Sequence, residues 1–356
     1  MFRRIRSYCL FGIKAVPVSI EVDASQGLPG FTLVGLPDNA VRESRERVVS
    51  AIRSIGKVVT GYRTTVNLSP ADLRKEGSAL DLPLAIGLLV STGEIEVDHL
   101  ERYVFVGELS LDGLLKPVRG VLSIAMNLVA NHDSILVVPR GNEQEASLVE
   151  GLRYVCAESL KECVDILERG LCQNVNVAKG ITSRLEKVDE SIPDFKNVIG
   201  MDGVKRALEI AAAGAHNFLL VGSPGAGKTL GAKCLLGILP EMTEQEILQT
   251  TRVHSCARRS GDSDEFKPVM TRPFRSPHHS ASMVSLVGGG TRLLPGEASL
   301  AHNGVLFLDE LPEFNRCVLE ALREPMEDGK ISVSRASGTV VWPARFMMGA
   351  AMNPSP

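Results

Sequence analysis

The octapeptide Gly222–Thr229, GSPGAGKT, has the spacing G-x-x-x-x-G-K-[ST]. Glycines at that spacing let a backbone turn tightly and aim successive N–H groups at phosphate oxygens. Gly222, Ser223, Pro224, Gly225, Ala226 and Gly227 are thus expected to cradle a nucleoside triphosphate. Lys228 would then reach the β- and γ-phosphates, and the Thr229 hydroxyl would ligate Mg2+. A second stretch, GVLFLDEL, carries the apolar run Val305 to Leu308 into Asp309 and Glu310. If that run is a strand of an open parallel sheet, its C-terminal end faces the ligand crevice. Asp309 would hold Mg2+ through water, and Glu310 would orient and polarise the attacking water. A third run, RFMMGAAMNPSP, ends in Asn353. Its amide either bonds the γ-phosphate or the lytic water, or simply opens an Asn-Pro turn. Glu310, Lys228 and Asn353 form the expected catalytic set.

A different chemistry is suggested by RKEGSALDLPLAIG, Arg74 to Gly87. A charged pair, a glycine and Ser78 lead into an apolar helical run, which is how a serine nucleophile can be presented. Such a serine needs a base beside it, for instance a desolvated lysine.

For the phosphate-binding residues to meet, three apolar strands must stand side by side with a helix opening at the glycine-rich loop. Phe218 to Val221 precedes the loop, TLGAKCLLGIL reads as the helix after it, and VKRALEIAAAGAH as an Ala-rich helix before it. Upstream, residues 16–22 and 31–34 read as strands. PDNAVRESRERVVSAIRSIG reads as a helix capped by Asp38, with Val41, Val48, Ile52 and Ile55 on one face and Gly56 as its stop. Strands at TTVNLSP, YVFVGELSLDG and SILVVP alternate with helices at RGVLSIAMNLVANH and ESLKECVDILERG. The expected organisation is an α/β domain over residues 1–172, a polar linker over 173–196, and an α/β nucleotide-binding core over 197–356.

Composition sets the bounds. The chain has 356 residues, 44% of them hydrophobic, and 33 glycines, as in an ordinary globular protein with many turns. A net charge of −3 gives no global pull toward nucleic acid, so any such binding needs a local basic patch. Seven scattered cysteines form no CxxC pair or zinc spacing, and are expected to be reduced thiols. Lys14 and Pro17 interrupt the basic and apolar start, so no leader is expected there. No run of 18 apolar residues exists, which argues against a membrane span, while the reduced thiols fit a cytoplasmic protein.

With these residues in view, the chain resembles a known family. FKNVIGMDGVKRALEIAAAGAHNFLLVGSPGAGKT, FRSPHHSAS, LPGEASLAHNGVLFLDEL and LREPMEDGKISVSRA are together similar to magnesium-chelatase-like AAA+ ATPases of the YifB/ComM type. The resemblance implies an AAA+ P-loop core behind a Lon-protease-like N-terminal domain, with ATP and Mg2+ bound. It also implies self-assembly into a hexameric ring and, for the ComM type, DNA as the load, in branch migration during natural transformation. Alternatives are a chelatase-type motor remodelling a protein partner, or an ATP-binding assembly module with little turnover.

By the same resemblance Asn353 is sensor 1, and Val198, Ile199, Gly200 and Met201 line the adenine pocket. KISVSRASGTVVWP would be a hairpin turning at Ala336 to Gly338, and SLVGGGTRLLPGE a glycine-rich insertion. Arg292, Lys330 and Arg335 on these loops are candidates for phosphate contact, or are ordinary solvated charges. A further cluster holds Arg258, Arg259, Lys267, Arg272, Arg275, His278 and His279. The adjacent histidines lack the carboxylate or cysteine spacing of a metal site, so a structural or inter-subunit role is expected. Arg316 and Arg323 do not stand at the family's arginine-finger position. The sequence ends at Pro356, ahead of where the family places that finger and a helical lid. A finger is worth about three to five orders of magnitude in rate, so this chain is expected to bind ATP yet turn it over poorly.

GELSLDGLLKPVRGVLSIA resembles the Lon segment that carries the catalytic lysine, and KEGSALDLPLAIG the one that carries its serine. In ungapped register the serine falls on Ala79 and the lysine on Leu122, with Lys116 too early. A one-residue shift at a helix start turns a side chain by about 100°. The first domain is therefore expected to be non-proteolytic, with Ser78 serving as a helix N-cap.

Overall fold

Alternating apolar and polar residues build the first sheet. In the strand Lys14–Gln26, Ala15, Val18, Ile20, Val22 and Ala24 are buried while the residues between them are wholly or partly exposed. The computed structural model describes residues 1–354 apart from 29, 60, 76, 132, 171–174, 182–191, 259–265, 291–292 and 336–337, and without the side chains of Asn197 and Arg335. The chain forms two compact units, Met1–Ser183 with Arg258–Lys267, and Arg184–Ala257 with Pro268–Pro356.

The first unit is built on a mixed eight-stranded sheet. Its spatial order is Asn176–Val177, Arg153–Ala157, Ile135–Pro139, Tyr103–Phe105, Phe2–Phe11, Lys14–Gln26, Tyr62–Ser69 and Gly30–Val34. The helix Asn39–Ser54 buries Val41, Val48, Ala51 and Ile52 in the core, and the Asp38 side chain caps it by accepting from Val41 N at 2.8 Å. The helix Asp81–Thr92 is buried almost all round. Its Asp81 carboxylate takes a two-pronged contact from Arg47, at 2.8 and 3.0 Å, and a third bond from Leu109 N at 3.2 Å.

Three expectations give way to the fold. Phe2–Phe11, to which the sequence assigned no element, is an interior strand of this sheet, because Ile5, Ser7 and Cys9 point inward while Arg4 and Arg6 stay on the other face. Part of the expected 173–196 linker belongs to the first unit. Asn176–Val177 pairs with Arg153–Ala157, and Ala178 and Ile181 are buried. A two-residue strand with so few apolar anchors leaves no readable period. Ser78, finally, does not cap its helix. The cap position is Leu80, without a side-chain bond, and the Ser78 hydroxyl donates to Glu108 Oε2 instead.

The second unit carries a four-stranded parallel sheet, ordered Phe218–Val221, Met347–Met352, Val305–Leu308 and Phe274–Arg275. Val305, Leu306, Phe307 and Leu308 are all fully buried, as a parallel strand covered on both faces requires. Phe218, Phe307 and Phe274 stack in file across the sheet, with ring centroids 6.5 and 5.7 Å apart. A Cβ at Gly349 would sit 2.3 Å from the Phe218 ring, so the middle strand must carry glycine there. The hairpin Lys330–Arg335 and Gly338–Pro343 forms as its alternation suggests, with Ile331, Val340 and Trp342 buried. Its turn residue Ala336 lies outside the described residues, as do Arg259 and Arg292. Among the described residues no helix is long and apolar enough to cross a membrane.

Candidate functional site

Because the strands of the second sheet run parallel, their C-terminal ends open on one edge. Val221 is level with Met352, and Leu308 with Ala350. The segments leaving those strands are Gly222–Thr229, Asp309–Glu310 and Asn353, so topology alone gathers the three sequence candidates. They line a groove of about 390 Å³ made by Pro224–Leu230, Asp309, Glu310, Met352 and Asn353.

Two contacts define its geometry. The Thr229 Oγ1 donates to Asp309 Oδ2 at 2.6 Å. Lys228 Nζ donates to the carbonyls of Gly222 and Ser223, at 2.7 and 2.9 Å, and to Asn353 Oδ1 at 3.0 Å. Gly227 holds φ +82° at the last loop position, where an L side chain would be strained, and the helix Lys228–Cys234 starts next to it. Thr229 and Asp309 thus place two hard oxygen donors at one point, which suits Mg2+ held partly by protein and partly by phosphate and water. The Lys228 ammonium, the Asn353 amide and glycine-rich backbone around the same groove suit a polyphosphate.

Glu310 projects from a residue in the left-handed region, φ +55°, whose N–H donates to Asp309 Oδ1 at 3.0 Å. Its half-exposed carboxylate lies 3.1 Å from His279 Nδ1. Sequence reasoning set metal aside for the histidine pair and expected a structural or inter-subunit role, and it missed this contact. Its signal was positional, since the histidines follow the short strand Phe274–Arg275 by a few residues, as Asp309 and Glu310 follow Val305–Leu308. His278 and His279 have ring centroids 4.0 Å apart, and among the described residues no group of three or more His, Cys, Asp or Glu comes together to hold a metal ion.

Other expected residues lie elsewhere. Val198 is buried, Ile199 is 96% exposed and Gly200 is exposed, and none of the three lines the groove. Met201 comes nearest, its Sδ 3.6 Å from where a Gly227 Cβ would stand. Arg272 is engaged inside the unit, on Glu246, the Pro240 and Glu241 carbonyls and Asn303 O. Arg275 makes a two-pronged pair with Glu297, at 2.6 and 2.8 Å. Arg316 and Arg323 pair with Glu320 and Glu327 along their own exposed helices. Lys330 is half-exposed, 3.9 Å from Asp328.

Among the described residues of the first unit, no lysine stands beside the serine as a base. Glu108, which accepts the Ser78 hydrogen bond, faces Lys116 across a two-residue ladder, and Leu122 is fully buried in its helix. Lys75, three residues before Ser78, is fully buried, and burial pushes its ammonium below the usual lysine range. It donates to the Pro70 carbonyl, not to Ser78.

Comparison with known proteins addresses the family. A family model described as "Magnesium chelatase, subunit ChlI" matches residues 194–356, and a second, "Subunit ChlI of Mg-chelatase", matches residues 20–142. The chain is 46% identical to the competence protein ComM of Haemophilus influenzae over 354 residues, 99% of this chain and 68% of that protein. It is 43% identical to YifB of Escherichia coli over 353 residues, again 99% of this chain and 68% of the relative. A weaker similarity, 24% over 163 residues, links 42% of the chain to 29% of Lon protease 2 of Bacillus subtilis. Identity at that level along the whole chain, with both family models in sequence order, shows that the chain belongs to the YifB/ComM-type magnesium-chelatase-like AAA+ ATPase family.

Proposed function

We propose that the second unit binds ATP with Mg2+ and hydrolyses it, and that it drives a ring-shaped motor acting on DNA. The observation that carries the nucleotide reading is the 2.6 Å contact between Thr229 Oγ1 and Asp309 Oδ2, beside an ammonium 3.0 Å from Asn353. Mg2+ would neutralise phosphate charge between Thr229 and Asp309. Lys228 exchanges three neutral acceptors for charged phosphate oxygens, which form the stronger hydrogen bonds. Glu310 takes up a proton from the attacking water, and Asn353 holds that water or the terminal phosphate. Gly222–Gly227 present backbone N–H groups, and Val198–Gly200 contribute to the base pocket from outside the groove. In this reading residues 1–172 form a Lon-like domain that positions the core or a partner and cleaves nothing.

A DNA load is supported by the similarity of nearly this whole chain to 68% of a competence protein and by basic residues in the hairpin and glycine-rich insertion sequences. Assembly as a homohexamer in the cytoplasm belongs to the same proposal. ATP turnover by the full-length natural protein is expected to rise with single- or double-stranded DNA, and Lys330→Ala with Arg335→Ala to remove that rise. No stimulation by either DNA would overturn the DNA load and leave a protein partner, as the similarity to magnesium chelatase subunits suggests.

A further inference from the structure

We infer that the first unit binds an acidic segment of a protein partner, in a groove on its sheet where Arg6, Ser19 and Ser69 receive the segment's carboxylate. The inference is independent of what the second unit hydrolyses or moves. Antiparallel pairing brings the three residues into one row. Phe2–Phe11 pairs with Lys14–Gln26 so that Arg6 is level with Ser19. Lys14–Gln26 pairs in turn with Tyr62–Ser69 so that Ser19 is level with Ser69. Residues level with each other on adjacent strands project to the same face. All three line a groove of about 450 Å³.

The charges in this groove do not balance. In the next row Arg4 donates to Glu21 Oε1 and Asn67 Nδ2 to Glu21 Oε2, both at 3.0 Å, so that carboxylate is satisfied. Arg6 is partly buried, and its partners among the described residues are neutral. One terminal nitrogen donates to the Glu101 carbonyl at 2.8 Å and to Ser134 Oγ at 3.0 Å. Its charge is left without an anion. Ser19 Oγ is shut off from solvent with no hydrogen bond. The Ser69 hydroxyl makes none either among the described residues. Burying a charge or a hydroxyl without a partner is costly, and an arriving oxyanion would answer both.

The surroundings select the kind of anion. With Arg4 and Glu21 offsetting each other, one positive charge is left, which matches a single carboxylate. Glu21 in the groove and the exposed Asp23 two residues on would repel a run of phosphates. Tyr8, the aromatic residue of the groove, is 7% exposed, and its hydroxyl donates to Asn127 Oδ1 at 3.1 Å. Its ring is therefore not free for a base to stack on. The exposed rings of Pro17 and Pro70 border the same groove and suit an apolar side chain beside the acid. One carboxylate next to an apolar residue is peptide chemistry.

The test pans a phage-displayed library of random peptides against the full-length natural protein, with the Arg6→Gln variant as counter-selection. A synthetic peptide of the selected sequence is then titrated by fluorescence anisotropy. Selected sequences should carry Asp or Glu next to an apolar residue. Replacing that acid by its amide should weaken binding about tenfold to a hundredfold. Ser19→Ala and Ser69→Ala, which break no described side-chain bond, should each weaken it about twofold to tenfold. Because Arg6 also holds Glu101 and Ser134, these two variants keep the inference falsifiable if Arg6→Gln disturbs the sheet. The inference is overturned if no peptide is selected, if the selected peptides carry no acid, or if both serine variants bind them as the wild type does. It is also overturned if the groove takes oligothymidylate instead, with Ser19→Ala and Ser69→Ala weakening that binding and leaving the peptide's unchanged.

Discussion

Two loops in this chain place a hydroxyl next to a carboxylate just ahead of, or at the start of, a helix. In the first unit Ser78 donates to Glu108, and in the second Thr229 donates to Asp309. What differs is the company each pair keeps. Thr229 follows Lys228, whose ammonium reaches across the sheet edge to Asn353, and both border a groove of about 390 Å³. Ser78 also has a lysine close by in sequence, desolvated as a catalytic base would need, but Lys75 is turned into the core and bonded to Pro70. A hydroxyl and a carboxylate become a reaction centre only when a third group converges on them. Parallel strands supply that convergence in one unit, and no described residue supplies it in the other.

Substitutions at the two loops should have very unequal effects. Lys228→Ala is expected to remove measurable ATP binding, read by titration of a fluorescent ATP analogue, because its ammonium stands at the groove proposed to hold the phosphates. Glu310→Gln should keep that binding and lower turnover by about a hundredfold or more. The platform under the second loop can be tested separately. Phe307 is fully buried between Phe218 and Phe274, and Phe307→Ala should cost about 3–5 kcal/mol in denaturant unfolding of the second unit.

Acid should also separate the units. His302 is 3% exposed, and burial, with Arg345 as a lesser cause, pushes its imidazole down to about 4. Burial also pushes His254 down. The folded values lie below those of the unfolded chain, so the unfolded state takes up protons first. The stability these neutral rings contribute is complete above about pH 6.5 and is lost as pH falls toward 4, by at most about 3 kcal/mol for His302. Thermal melts from pH 7.5 to 4.5 should therefore show the second unit weakening first. His302→Asn, which keeps an acceptor for Arg345 N, should flatten that slope. Smallest of all, Ser78→Ala should leave ATP turnover unchanged and move stability by less than about 1 kcal/mol.

Much of the second site was legible because its chemistry is local in sequence. GSPGAGKT, the run into Asp309-Glu310 and the run into Asn353 each mark a strand together with the polar residues at its end, and parallel pairing does the rest. The contact of His279 with Glu310 was not legible, because it depends on the register between Phe274–Arg275 and Val305–Leu308, and the former strand is only two residues long. Ser78 was misread for a related reason. The apolar run suggested a helix from Ala79, but the helix starts at Asp81, where Arg47 and Leu109 N hold the first-turn carboxylate from distant parts of the chain. The strand Phe2–Phe11 went unseen because it alternates basic and mixed residues, a pattern that only its neighbours in the sheet explain.

The most direct test of the central claim is equilibrium binding of ATP with Mn2+ in place of Mg2+, monitored by electron paramagnetic resonance of the metal. The account predicts that Mn2+ binds tightly only when ATP is present, that Asp309→Ala loosens the metal, and that Lys228→Ala abolishes the complex while Ser78→Ala leaves it intact. Undiminished Mn2+·ATP binding by Lys228→Ala and Asp309→Ala would contradict it.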